Sequence, residues 1–209
     1  MSVAVTRAFP ESDLNVAGPN ERTVASFAAS GCRRYAEVGV YKGETAERVA
    51  ELLDGDGELH LFDYADRVEP VVARLRAAGH RNVFAYPNSR RMLDSYNWSL
   101  MRVLAEHPEP PFDYVFLDGA HTWVHDALAF ALIDRLLVPG GYLDLDDFHW
   151  TLRASPSMNP DAFPEVEQLY SPEQIDARQV ALVVDLLVRR GGGYEELTPN
   201  NLFRKRVPA

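Results

Sequence analysis

The sequence predicts an α/β fold, a doubly wound sheet of seven strands that is mostly parallel and has an antiparallel edge formed by its last strands. Short apolar runs alternate with segments of helical periodicity over most of the chain, as in βαβ units with right-handed crossovers. Two strand-like segments joined by a turn then close the sequence. The chain has 209 residues, 46% of them hydrophobic, which is enough to bury one core.

Periodicity and turn residues define the elements of the first part of the chain. Apolar residues spaced three and four apart indicate helices, and short runs rich in β-branched and aromatic residues indicate strands. Gly79 and the proline-rich stretch 108–111 end two of the helices. The predicted order is helix 23–30, strand 35–40, helix 44–53, strand 59–63, helix 70–78, strand 82–86, helix 89–106, strand 112–118, helix 123–137 and a fifth strand opened by Gly140-Gly141.

The pattern changes in the last quarter of the chain. Residues 151–164 are rich in Pro, Ser and Asn, which predicts a mobile loop. Ser171 is a suitable N-cap for a helix over 171–190. The segments 194–198 and 201–206 are joined by a Pro-Asn turn, so they predict an antiparallel pair at the edge of the sheet.

The domain organisation is simple. Residues 1–20 carry Pro10 and Pro19 without sustained periodicity, which predicts an irregular N-terminal arm or lid. Residues 21–209 are expected to form a single domain, because one α/β core of this size accounts for their length.

Charge and composition exclude several classes of partner. The formal net charge is -10, with 31 acidic and 21 basic residues, which disfavours binding to nucleic acid; the basic run 204–206 is interpreted as a solvated terminus. No apolar stretch approaches the roughly 18 residues of a membrane span. Cys32 has no second cysteine to pair with, and no signal peptide is recognisable. We expect a cytoplasmic protein with a small-molecule partner, and whether it is a homo-oligomer is open.

Acidic residues follow two of the predicted strands where each strand ends. Asp118-Gly-Ala-His121 comes after the apolar run 112–117, and Asp146-Asp147 comes after the fifth strand. Polar residues at the carboxyl ends of parallel strands lie along one rim of the sheet, where open α/β sheets bind ligands. Three carboxylates and a histidine at such a rim suit a hard divalent cation and a general base.

The turn after the first strand indicates a nucleoside site. Its residues, Glu37 to Gly43, place glycines where backbone can approach a ligand at a helix N-terminus. The spacing differs from that of a phosphate-binding loop, which needs Lys-Ser/Thr after the last glycine, and from the dinucleotide fingerprint, which needs glycine at Tyr41. The acidic Glu37 favours a cationic ligand, and Asp63 at the end of the second strand is placed to accept hydrogen bonds from a ribose.

These motifs resemble those of the class I S-adenosylmethionine-dependent methyltransferases, whose first motif has an acidic residue, a glycine and a second glycine four positions later. The resemblance covers residues 33–150. Two runs, Tyr35-Ala-Glu-Val-Gly-Val-Tyr-Lys-Gly-Glu-Thr and Phe116-Leu-Asp-Gly-Ala-His, are most similar to the subgroup of metal-dependent sugar and macrolide O-methyltransferases. The resemblance implies a Rossmann-like fold and methyl transfer from S-adenosylmethionine to a hydroxyl of a sugar or specialised metabolite, which leaves S-adenosylhomocysteine.

The resemblance also implies a role for each matching position. The cofactor-binding positions are Glu37, Gly39 and Gly43 on the methionine side, Asp63 at the ribose, Tyr64 and Ser89 at the adenine, and Asp118. The positions that would bind Mg²⁺ are Asp118, Asp146 and Asp147. His121, three positions past Asp118, would be the catalytic base.

Alternatives stay open for several of these residues. The glycines could serve only a tight turn, and Ser89 could be an N-cap. Asp146 and Asp147 would point to opposite faces if the strand continued through both, so that one would bind metal and the other would cap a loop. Asp144, in the middle of a strand, needs a partner that the sequence does not identify. A metal-independent methyltransferase and a non-catalytic nucleoside-binding protein are the competing functions, and no motif defines the acceptor.

Overall fold

The structure, a computed structural model, describes residues 18–208. Residues 1–17, most of the predicted arm, lie outside this range. Within residues 18–208 no helix combines the length and the apolar character that crossing a membrane would require.

Seven strands form one sheet. In chain order they are β1 (Arg34–Val38), β2 (Glu58–Tyr64), β3 (Val83–Asn88), β4 (Phe112–Leu117), β5 (Leu137–Leu145), β6 (Tyr194–Thr198) and β7 (Leu202–Lys205). The order across the sheet is β3-β2-β1-β4-β5-β7-β6. Strands β1 to β5 are parallel, and β7 pairs antiparallel with both β5 and β6. The predicted fold class, including the antiparallel edge, is therefore confirmed.

Helices cover both faces of this sheet. They are α1 (Glu21–Ser30), α2 (Glu44–Leu53), α3 (Ala65–Ala77), α4 (Tyr96–Glu106), α5 (Trp123–Leu136), α6 (Val166–Leu169), α7 (Pro172–Asp176) and α8 (Gln179–Val183), which continues as a π-helical turn over Val184–Arg189. Helices α1 to α3 share one hydrophobic cluster, and α4, α5 and α8 share the other. Alternating residues of β4, such as Val115 and Phe116, enter different clusters because successive side chains of a strand point to opposite faces.

Three predicted helices differ most from the observed ones. The helix over 70–78 begins earlier, at Ala65, and Pro70 lies inside it. The helix over 89–106 begins only at Tyr96, because the Ser95 side chain caps it by accepting from the Asn97 amide. Ser171 is the predicted N-cap, in a capping box with Gln174, but the helix that follows is interrupted where the backbone of Ala177 is extended.

The topology creates a binding crevice. The chain adds β2 and β3 on one side of β1 and then adds β4 and β5 on the other side. Such a reversal separates the loops that follow β1 and β4, and ligands of open α/β sheets bind between loops of this kind.

Candidate cofactor and cation site

One cavity of about 600 Å³ opens at the carboxyl ends of the parallel strands. Its walls come from the turn after β1, the ends of β2 and β3, the loops after β4 and β5, and segment 150–170. The predicted site residues that line it are Glu37, Gly39, Gly43, Asp63, Tyr64, Asp118, His121, Asp146 and Asp147. Cavities of this size are typical of small-molecule sites. The structure thus brings the predicted nucleoside turn and the predicted acidic rim together in one space.

The turn after β1 depends on its two glycines for steric reasons. Gly39 and Gly43 have φ angles of 93° and 83°, in the region that favours glycine. A Cβ at Gly39 would lie 1.9 Å from the Asp118 carbonyl oxygen, and one at Gly43 would lie 2.5 Å from Val71. The turn after β1 is therefore in backbone contact with the loop that carries the acidic rim.

The Asp63 carboxylate stabilises this same turn through hydrogen bonds. One of its carboxylate oxygens accepts the amides of Val40 and Tyr41, each at 2.8 Å, and the other accepts the amide of Tyr64 at 2.6 Å. Asp63 also lines the cavity, and an ionised carboxylate has further lone pairs for a ribose hydroxyl. The residue has a structural role that the sequence did not reveal, and its role toward the ribose stays a prediction.

Glu37 is a buried carboxyl group at the cavity wall. Its side chain accepts a hydrogen bond from the Tyr35 hydroxyl at 3.0 Å, and the residue is 2% exposed. Burial raises the pKa of Glu37 to about 8, although the bond from Tyr35 opposes this shift. A cationic group placed beside Glu37 would favour its ionised form.

The predicted adenine side contains Tyr64 and an arginine. The Arg90 guanidinium lies 4.1 Å from the centroid of the Tyr64 ring and is held by the Asp66 carboxylate at 2.8 Å. Among the described residues, Asn88 and Arg90 line the cavity and Ser89 between them does not. The Ser89 hydroxyl bonds to Asp94 at 2.5 Å, and Ser89 is not a helix N-cap. A direct contact of Ser89 with adenine stays a prediction.

The acidic rim brings three potential metal ligands together. His121 Nε2 lies 3.3 Å from an Asp147 carboxylate oxygen and 3.9 Å from one of Asp118. One ligand atom from each of these residues lies within 4.8 Å of the others. His121 and Asp147 both have left-handed backbone, with φ of 56° and 58°. Such conformations are uncommon outside glycine, so the surrounding structure determines the shape of both loops.

The cluster concentrates negative charge. Desolvation, followed by the carboxylates of Asp146 and Asp147, raises the pKa of Asp118 well above its usual range. Burial also raises the pKa of Asp147, against the attraction of His121. A divalent cation would neutralise this charge and favour the ionised carboxylates.

Asp146 and Asp147 have different surroundings. Strand β5 ends at Leu145, so the alternation of a strand does not extend through the pair. Asp147 faces His121, whereas Asp146 accepts a hydrogen bond from Asn20 Nδ2 at 2.7 Å. Asp146 thus contacts the segment that leads into α1.

The partner of Asp144 is Arg22, at the start of α1. The Asp144 side chain is fully buried and accepts hydrogen bonds from the Arg22 guanidinium and, at 2.8 Å, from the Tyr114 hydroxyl. Burial raises the pKa of Asp144, while Arg22 opposes that shift. The sequence showed that a partner was needed, but it offered 21 basic residues and no means of choosing among them.

Tyr96 and Asp126 support the loop that carries His121 through hydrogen bonds. The Tyr96 hydroxyl donates to the buried Asp126 carboxylate at 2.6 Å and accepts from the Ala120 amide at 3.2 Å. A Cβ at Gly119 would lie 2.6 Å from that hydroxyl, so glycine is needed for the approach. Sequence reasoning missed this support, because Tyr96 and Asp126 lie on two different helices.

Residues after β5 form the remaining wall of the cavity. The Trp150 ring lies 5.2 Å from the ring of His121. Leu152, Met158 and Tyr170 also line the cavity, and they belong to or pack against a small hydrophobic cluster. Segment 151–164, predicted as a loop, therefore contributes to the wall beside His121. Its residues carry no transferable motif, which is why the sequence could not assign them.

The Methyltransferase domain family profile matches residues 36–148, more than half of the chain. This range contains the turn after β1, Asp118, His121 and the Asp146-Asp147 pair. No curated protein shows significant similarity to the sequence.

Solved structures show the same fold. An S-adenosylhomocysteine-bound methyltransferase of Podospora anserina, PaMTH1, has a TM-score of 0.56 and 16% identity, with 90% of this chain and 77% of that chain covered. An S-adenosylhomocysteine-bound O-methyltransferase of Bacillus cereus has a TM-score of 0.51 and 18% identity, covering 77% and 71%. MycE, a mycinamycin-pathway methyltransferase with Mg and S-adenosylhomocysteine, has a TM-score of 0.53 and 19% identity, covering 88% of this chain and 47% of MycE.

At these identities the structural likeness shows the fold alone, and the family profile supplies the assignment. The profile covers both halves of the cavity, the turn that was predicted to hold a nucleoside and the rim that was predicted to hold a cation. The predicted S-adenosylmethionine-dependent methyltransferase is thereby confirmed, and the chain belongs to the Methyltransferase domain family.

Proposed function

We propose that the protein is an O-methyltransferase that transfers the methyl group of S-adenosylmethionine to a hydroxyl of a small molecule, a sugar or a specialised metabolite, with the help of a divalent cation. The observation that carries this proposal is the single cavity in which the glycine turn with Glu37 faces the cluster of Asp118, His121 and Asp147. A methyl donor and an activated hydroxyl must meet in such a space.

The nucleoside half fits a sulfonium cofactor. Glu37 offers a carboxyl group that a positive charge would help to ionise, and the glycines leave room for backbone approach. Asp63 and Tyr64 follow β2 on the same cavity wall, where the ribose and adenine are expected. PaMTH1 and the Bacillus cereus enzyme, which share the fold, bind S-adenosylhomocysteine.

The rim fits a hard cation. Asp118 and Asp147 would hold Mg²⁺, and the crowding of carboxylates around Asp118 is the feature that favours a dication there. Asp146, the third predicted ligand, lies beside them on the side of α1. When bound, the ion lowers the pKa of a coordinated hydroxyl. MycE, which shares the fold, forms a complex with Mg and S-adenosylhomocysteine.

His121 is the proposed base. When bound, S-adenosylmethionine would supply the methyl group that the acceptor oxygen takes up, and the electron pair of the S–CH₃ bond would stay on sulfur in S-adenosylhomocysteine. The hydroxyl proton passes to His121 Nε2, which lies 3.3 Å from the Asp147 carboxylate that would stabilise the imidazolium. The chain's own contribution is alignment, exclusion of water and removal of this proton.

The first test is thermal unfolding with S-adenosylmethionine or S-adenosylhomocysteine, each with and without Mg²⁺, and with a nicotinamide dinucleotide as control. At 100 times the dissociation constant a ligand adds about 2.7 kcal/mol, or about 5 to 11 °C in Tm for a chain of this length. A rise with the sulfonium ligands and a further rise with Mg²⁺ are expected. A rise that is independent of Mg²⁺ would favour the metal-independent enzyme, and the absence of any rise would refute the nucleoside site.

Activity distinguishes an enzyme from a binding protein. We expect a hydroxylated acceptor panel, analysed by mass spectrometry, to contain products 14 Da heavier than an acceptor, the mass of the added CH₂. Cofactor binding without any such product would favour a nucleoside-binding protein.

A further inference from the structure

A short segment ties the two halves of the cavity together. We call residues 18–22, which lead into α1 and begin it, the N-terminal strap; Gly18 and Asn20 of this strap line the cavity. The Gly18 amide donates to Glu44 Oε2 at 3.1 Å, and the Asn20 amide donates to Thr45 Oγ1 at 2.9 Å. Glu44 and Thr45 directly follow Gly43, so the strap is attached to the end of the turn that is proposed to hold the cofactor.

Asn20 is the residue of the strap that reaches the acidic rim. Its side-chain oxygen accepts from the Thr23 amide at 3.1 Å and caps α1, and its Nδ2 donates to Asp146 Oδ2 at 2.7 Å. Arg22 approaches the other oxygen of Asp146 at 3.4 Å. Helix α1 is itself anchored to the sheet, because Phe27 packs against Tyr35 and Tyr114.

The chemistry of this contact matters for the rim. An amide donates a hydrogen bond without carrying a charge of its own, so Asn20 can orient the Asp146 carboxylate while Arg22 approaches its other oxygen. Asp146 adjoins Asp147 in the chain and lines the same cavity as Asp118, His121 and Asp147. The strap therefore fixes a carboxylate that stands next to the ligand cluster.

We propose that Asn20 is a positioning residue for the cation site, which holds the Asp146 carboxylate beside the ligand cluster and links it to the cofactor turn. The inference rests on the proposed function, because it assumes that the cluster binds a divalent cation. Partners of this kind commonly change metal affinity about 10- to 100-fold when they are removed.

Asn20→Ser separates the two roles of the side chain. Serine caps a helix about as well as asparagine, so α1 should be retained, but it lacks the amide that reaches Asp146. Asn20→Thr likewise keeps a capping hydroxyl and lacks the amide. Asn82→Ser, at an exposed position before β3, is the matched control.

The measurement is the dissociation constant of Mn²⁺, by electron paramagnetic resonance, together with that of S-adenosylhomocysteine and the Tm. We expect Asn20→Ser and Asn20→Thr to weaken Mn²⁺ binding about 10- to 100-fold with little change in Tm, and Asn82→Ser to leave it unchanged. Unchanged Mn²⁺ affinity in folded Asn20→Ser and Asn20→Thr would overturn the proposal.

A double-mutant cycle with Asp146→Ala tests whether Asn20 acts on the cation site through Asp146. If Asn20 acts through Asp146, Asn20→Ser should have no further effect on Mn²⁺ affinity once the carboxylate is gone. An equal loss in both backgrounds would overturn this route. Binding by the wild-type protein distinguishes the two proposals. If the wild-type protein fails to bind S-adenosylhomocysteine or Mn²⁺, the proposed function is refuted. If it binds both and substitution of Asn20 leaves the Mn²⁺ affinity unchanged, only the inference about Asn20 is refuted.

Discussion

The ion pair between Arg22 and Asp144 yields a quantitative prediction. The Asp144 side chain is 0% exposed and that of Arg22 is 29% exposed. Arg22→Met would leave the carboxylate with the Tyr114 hydroxyl at 2.8 Å and no cation. Breaking a buried ion pair lowers the free energy of unfolding by about 3 to 5 kcal/mol, and the partial exposure of Arg22 places this case at the lower end, about 3 kcal/mol. For a chain of this length the expected fall in Tm is about 6 to 12 °C.

Urea unfolding at pH 5 and pH 7.5 measures this effect. Because burial raises the pKa of Asp144, removing Arg22 makes the folded protein hold the proton more firmly than the unfolded chain, so the loss should be larger at pH 7.5 than at pH 5. Arg48→Met breaks the exposed pair with Glu51 and should cost about 0.5 kcal/mol. Arg22→Met with Asp144→Leu should recover much of the stability. A loss no larger than that of Arg48→Met would refute the reasoning.

Three further predictions concern the cavity. Gly39→Ala should weaken S-adenosylhomocysteine binding more than 10-fold in calorimetry, because its Cβ would lie 1.9 Å from the Asp118 carbonyl oxygen. The control Gly193→Ala has open space around the new Cβ and should bind S-adenosylhomocysteine normally. Burial raises the pKa of Glu37 from 4.5 to about 8, so the folded state keeps a proton that the unfolded chain releases. The Tm of the wild-type protein should therefore fall relative to that of Glu37→Gln as pH rises from 5 to 8. Parallel plots of Tm against pH for the two proteins would contradict this. His121→Ala should lower turnover about 10²- to 10⁴-fold in a methyl-transfer assay with little change in S-adenosylhomocysteine affinity, and intact turnover would exclude His121 as the base.

The sequence predicted the sheet well because its signals are local. Buried parallel strands are short apolar runs, and the turn residues between them mark their ends, so the helix Glu44–Leu53 and the strand Tyr194–Thr198 have the predicted bounds. Where two local signals compete, the observed helix boundaries differ from the predicted ones. Apolar spacing continues from 89 to 106, yet Asp94 binds both the amide and the hydroxyl of Ser89 and holds a turn there, which delays the helix to Tyr96.

The candidate site was predictable where the parallel sheet itself assembles it. Asp118 and the Asp146-Asp147 pair follow neighbouring strands, so their meeting follows from the fold. The partners that come from distant segments were not predictable. Asn20 contacts Asp146 across 126 positions, and no local pattern marks such a pair.

The contact between Gly39 and the Asp118 carbonyl has a consequence for redesign. Since the two turns share one backbone interface, an insertion or a larger residue after β1 would displace the loop that carries Asp118 as well, and under the proposed function cofactor preference would change together with metal affinity. Redesign for a bulkier sulfonium donor is therefore better begun at Met158, which lines the cavity from the segment after β5 and belongs to neither turn.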